Sequence, residues 1–97
     1  MAFETASALP LVKARLNRLT SDTTLDAYLL SRIDGAVAEL KHIGIYLDGE
    51  QADDVMLCTD YVVWQYQNRD TGGAMPDWLR LRRRERWLAQ RSGGDAP

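Results

Sequence analysis

Very little in this chain lends itself to catalysis or cross-linking. Its 97 residues include one cysteine, Cys58, and one histidine, His42. A single cysteine excludes an internal disulfide framework and suits a reducing compartment. One Cys and one His cannot build a structural zinc site without several carboxylates. Cys58 lies in an apolar stretch and reads as a small buried hydrophobe. His42 reads as a surface or packing residue. No apolar run approaches the ~20 residues of a membrane span. The opening "MAFETASALP" lacks a basic region followed by an apolar one, so no secretory leader is expected and synthesis in the cytoplasm is. The glycines of "TGGAM" are followed by Pro76, not by Lys-Ser or Lys-Thr, which excludes a phosphate loop. Asp53 and Asp54 are adjacent, diverge by about 100° on a helix and do not form a catalytic dyad. The expectation is a protein that is not an enzyme and carries no cofactor or metal.

What the chain does have is helical patterning. Hydrophobic residues make up 45% and charged residues 27%, the balance of a soluble globular domain. The length fits one domain, set here at residues 1–91, with 92–97 ("GDAP" preceded by Ser92 and Gly93) expected as a flexible tail. The predicted fold class is all-α, a bundle of about four helices over 8–19, 23–43, 51–69 and 76–91.

In the first segment Leu9, Val12, Leu16 and Leu19 recur at helical spacing, and Pro10 fits a first turn. "TSDTT" breaks the pattern, and Thr23 with Asp26 resembles a capping box. The second segment sets Leu25, Leu29, Ile33, Ala36, Val37, Leu40 and Ile43 on one face, and Gly44 supplies a stop. The third begins with acids at Glu50, Asp53 and Asp54, which suits a helix N-terminus. Its apolar residues project nearly all round, so it must be covered on more than one side, and part of that cover is expected from another subunit. "YVVWQY" also has strand character, but no second strand is available for pairing. "TGGAMP" is the strongest break, and Pro76 with Asp77 then opens the fourth helix.

Charge is unevenly spread along the chain. The net value of −2 conceals a local −5 over residues 48–70, where six acids face Arg69 alone, and a local +4 over residues 77–91, where six arginines face Asp77 and Glu85. On a helix, Trp78, Leu81 and Leu88 form one stripe and read as the core face, with Glu85 inside it. Trp87 falls on the opposite side among Arg80, Arg83, Arg84 and Arg91. Three readings compete for this basic helix. One is a solvated face with a stray aromatic. A second is nucleic-acid contact by a small DNA-binding or regulatory protein using Arg80–Arg86, although no helix-turn-helix or zinc pattern precedes it and the domain is acidic. The third, preferred, is subunit contact. Trp and Arg concentrate at the energetic centres of interfaces, and opposite charge on two faces suits head-to-tail assembly. The interface residues expected on this reading are Trp78, Arg80, Arg83, Arg84 and Trp87, with Asp53, Asp54 and Asp60 as counter-charges on the neighbouring copy.

The order of these pieces resembles a known family. "LPLVKARLNRL", "TLDAYLLSRIDGAVAELKHIGI", "ADDVMLCTDYVVWQYQNRD" and "MPDWLRLRRRERWL" follow one another over residues 9–88 as in the small head–tail connector (adaptor) proteins of tailed bacteriophages and prophages. The most characteristic part is the aromatic helix, Gly-rich break, Met-Pro and closing basic helix. The resemblance implies an all-α subunit in the virion, a ring of about a dozen copies, docking on the portal and on a tail or stopper protein. It implies a lumen carrying DNA, with non-specific contact there left open, and neither enzymatic activity nor cofactor. The "TGGAMP" loop is expected to be able to change shape on docking.

Overall fold

Helices supply all the regular structure among the described residues. The computed structural model describes residues 5–19, 21–70 and 72–94. It contains α1 (Thr5–Arg15), α2 (Asp26–His42), α3 (Ala52–Gln67) and α4 (Asp77–Gly94). The all-α expectation holds, and "YVVWQY" is helical. The boundaries shift at both ends of the chain. α1 starts early enough that Pro10 lies inside the helix, not in its first turn. α4 runs on to Gly94, so the helix takes in part of the expected tail, and residues 95–97 lie outside the described residues.

α1 and α2 stop by the same device. Asn17 has φ 59° and Gly44 has φ 96°. After α1, the Asn17 N–H donates to Ala14 O at 3.1 Å and the Arg18 N–H to Lys13 O at 2.8 Å. After α2, the Gly44 N–H donates to Lys41 O at 3.0 Å and the Ile45 N–H to Leu40 O at 2.8 Å. This is the paired bonding that satisfies the last carbonyls of a helix when the following residue turns left-handed. At α2 it also brings two fully buried residues, Leu40 and Ile45, together.

The capping box expected at Thr23 does not form. The N-cap of α2 is Leu25, which makes no side-chain cap bond. Asp26 is drawn instead to the buried Lys13 ammonium of α1, with Nζ–Oδ1 at 2.9 Å. Asp22 holds the turn before it by accepting the Thr24 N–H at 3.0 Å. Hydrogen bonds from Thr24, with Arg18 nearby, hold the Asp22 carboxyl below its ordinary pKa.

α3 lies at the centre, packed against α1, α2 and α4. Leu57, Cys58, Tyr61, Val62 and Val63 on α3 meet Ala8 and Val12 on α1 and Leu29, Ile33, Ala36 and Leu40 on α2. Most of the apolar breadth of α3 is thus covered within the chain, and Met56 is left exposed. Thr59, fully buried on the same helix, is satisfied by donating its hydroxyl to Val55 O at 2.8 Å. Ile43 and Leu19, placed in the core by periodicity, are exposed because each helix ends before its pattern does.

Burial pushes the Cys58 thiol up to about 12. Essentially no reactive thiolate is therefore present in the folded protein at neutral pH. A disulfide reagent at mildly alkaline pH should leave Cys58 unmodified in the native protein. It should label the residue at the rate at which the core opens, and immediately in denaturant.

Candidate functional site

Among the described residues, only Leu79 of α4 joins the buried apolar core. The helix is held mainly by polar contacts, and these decide which of its faces is free.

Two carboxylates of α3 form the inner half of the seam. Asp54 is 1% exposed and Asp60 is 5% exposed. Arg86 reaches Asp54 with both ends of its guanidinium, Nε–Oδ1 at 2.6 Å and Nη2–Oδ2 at 2.9 Å. The same Oδ2 accepts the Asp48 N–H at 2.7 Å, tying down the loop before α3. Asp60 is shared: Arg15 of α1 takes one oxygen and Arg82 of α4 the other. A carboxylate in such surroundings is tolerable only when paired and hydrogen-bonded.

The second half of the seam lies along residues 43–46, just past α2. Trp87 donates its indole N–H to Ile43 O at 3.0 Å, and Arg91 donates to Gly44 O at 3.2 Å. Gln90 accepts the Tyr46 N–H at 2.9 Å and donates back to Tyr46 O. The Arg91 guanidinium also lies 4.4 Å from the centre of the Trp87 ring. A positive group here meets the negative end of the α2 dipole. Gly44 permits the approach, since an added Cβ would lie 2.1 Å from Arg91 Nη2 and 3.2 Å from Trp87 Nε1.

These contacts reverse the face assignment made from periodicity. Trp78, Leu81 and Leu88, read as the core stripe, are exposed. The face with Leu79, Arg82 and Arg86 is turned inward. Asp54 and Asp60 are therefore not available as counter-charges for a neighbouring copy, because arginines of their own chain already hold them. Asp53 remains exposed. Arg80 pairs with Asp77 one turn away at the surface. Arg83 stands by the Tyr61 hydroxyl with Glu39. Burial first, and Glu39 second, push that hydroxyl above its ordinary pKa, with Arg83 opposing. Arg84 makes no ion pair or hydrogen bond among the described residues. Trp87 is half in and half out, its N–H committed and its ring edge at the surface.

A cleft of about 700 Å³ opens on one flank of α4, lined by Ile43, Ile45, Leu81 and Trp87 with Arg80, Arg83, Arg84 and Asp77 at its rim. A second cleft of about 500 Å³ lies on the other flank, where Asp53, Glu85 and Gln51 accompany the Asp54–Arg86 pair. The outer stripe of Trp78, Leu81 and Leu88 runs between them. This arrangement can hold a partner by apolar contact and opposite charge. No three His, Cys, Asp or Glu side chains among the described residues are grouped to hold a metal ion. No helix among the described residues is long and apolar enough to cross a membrane. Sequence reasoning missed Leu79, Gln90 and Arg91 as anchors, and Met56 as an exposed apolar residue on α3.

Comparisons with protein-family models, curated proteins and solved structures found no match to this chain.

The seam predicts an order of costs in urea unfolding. Arg86 is 27% exposed in its side chain, and Arg86→Ala would strand the buried Asp54 carboxylate, at a cost of about 2–4 kcal/mol. Arg82 is 37% exposed and Arg82→Ala leaves Asp60 with Arg15, a loss below about 1 kcal/mol. Arg80→Ala should change nothing measurable. Gly44→Ala should lower stability by about 1–2 kcal/mol, because a positive φ is unfavourable with a Cβ and α4 must shift outward.

Proposed function

We propose that the chain is a structural virion protein, a subunit of a head–tail connector or adaptor ring that joins portal to tail around the DNA passage. The observation that carries this reading is the outer stripe of α4. Trp78, Leu81 and Leu88 stay exposed on one line after the fold has satisfied its own core. Exposed aromatic and aliphatic residues in register are what a partner-binding surface presents. The order of elements adds support, since the resemblance to phage connectors rests on four helices, a Gly-rich break and a closing basic helix, and the chain is helical over those segments.

Most of the apolar breadth of α3 is covered within the chain, with Met56 left exposed. One ground no longer speaks for the ring: the charges of Asp54 and Asp60 are accounted for inside one chain. The DNA-binding alternative loses ground for the same reason. Arg82 and Arg86 face buried acids, which leaves fewer arginines outward to meet phosphates.

Native mass spectrometry of the protein mixed with the portal and tail proteins of its own gene neighbourhood tests the reading. The expected result is a stable complex with at least one of them, or a ring templated by the portal. A strict monomer that captures neither overturns it. Trp78→Ala should leave the melting temperature unchanged, because Trp78 takes no part in the core. The same change should weaken capture by about 2 kcal/mol or more if Trp78 is an interface anchor.

A further inference from the structure

The two clefts beside α4 differ in a way that one chain cannot use by itself. Helical geometry sets Arg80, Arg84 and Trp87 on one flank of α4 and Glu85 and Ala89 on the other, about half a turn apart. The first cleft has an apolar floor and a basic rim. Arg83 and Arg84 in its lining make no ion pair among the described residues, Arg83 standing by the Tyr61 hydroxyl and Arg84 exposed, and its apolar lining includes the exposed Ile43 and Leu81. The second has an acidic rim, where Asp53 and Glu85 make no ion pair among the described residues. Met56 lies one turn beyond Asp53 on α3, also exposed, so an apolar side chain and a free carboxylate stand together on that side.

We infer that the basic cleft of one copy receives the Asp53–Met56 corner of a second copy. Met56 enters the floor between Leu81 and Trp87, and Asp53 meets Arg84. The flexible thioether suits an irregular apolar cleft. The contact uses a different patch on each partner, so it repeats from copy to copy and is head-to-tail. It rests on the ring-subunit reading for its setting and specifies which surfaces meet. Charge complementarity singles out the second copy as occupant. This chain carries the matching free acids, and its apolar cleft floor asks for a side chain that a phosphate backbone does not supply.

Sedimentation velocity on the full chain at low ionic strength, up to about 1 mM, tests this, since a weak contact between surface patches shows only at high concentration and is screened by salt. The expected result is concentration-dependent association. Arg84→Glu and Asp53→Arg should each weaken it by about tenfold or more, and the two changes in one chain should restore it, because they exchange the two charges across the contact. Both residues are at the surface, so circular dichroism should stay as in the parent; the melting temperature should hold for Arg84→Glu and fall only slightly for Asp53→Arg, which puts a cation in the first turn of α3. Met56→Ser should weaken association without changing its dependence on salt.

A monomer over the whole range overturns the inference, as does association that neither charge change moves, or a double variant no better than the single ones. A gel shift with duplex DNA that Arg84→Glu abolishes, without self-association, also overturns it and assigns the cleft to nucleic acid. Portal capture is scored separately. Capture without self-association removes this contact and leaves the proposed function standing. Self-association through these residues without capture does the reverse.

Discussion

The pairing of two buried carboxylates on α3 with two arginines on α4 is the constraint on which the rest of the arrangement depends. Asp54 and Asp60 are six residues apart, and Arg86 and Arg82 meet them in the opposite order, so α3 and α4 run antiparallel. A displacement of α4 that takes Arg86 away from Asp54 would leave that carboxylate buried without its cation, at a cost of about 2–4 kcal/mol. Among the described residues, one apolar residue of α4 enters the core. The ion pairs therefore set register and face, and the bonds from Trp87, Gln90 and Arg91 to residues 43–46 fix the far end.

The helices and most of the core were legible in the sequence because their signal is hydrophobic periodicity. Leu29, Ile33, Ala36 and Leu40 repeat at helical spacing and are buried as that spacing implies. Gly44 was legible as a stop because only a residue tolerant of positive φ closes the helix there. The start of α2 was not, because Asp26 serves a long-range partner, Lys13, and local capping logic has no knowledge of it.

The orientation of α4 was missed for a related reason. Periodicity assigns the apolar stripe to the interior, and here the interior side is chosen by charge. A clue was present. Asp54 and Asp60 sit in an otherwise apolar helix, and Arg82 and Arg86 stand one turn apart on a single face. Acids inside an apolar run imply buried cationic partners, and two arginines at that spacing are the natural candidates. The split of charge along the chain was read as one phenomenon and is two. Part of it is internal, holding α4 in place. The remainder, Arg84 on one flank and Asp53 with Glu85 on the other, makes no ion pair among the described residues. The candidate surface was thus half legible: Trp78 and Arg84 are outward as an interface requires, whereas Asp54 and Asp60 are structural.

The composition of the α4 seam also sets its thermal behaviour. Heat-capacity change on opening follows the apolar area uncovered, and polar area contributes with the opposite sign. Among the described residues, lifting α4 takes a single leucine out of the core, with the apolar surface it covers, and breaks a larger set of charged and amide contacts. The free energy of that step should vary only gently with temperature, whereas the α1–α2–α3 core, built on aliphatic contact, follows the curved profile of hydrophobic burial. Chilling therefore loosens the core before it loosens the last helix, and dissolved electrolyte acts in the opposite order.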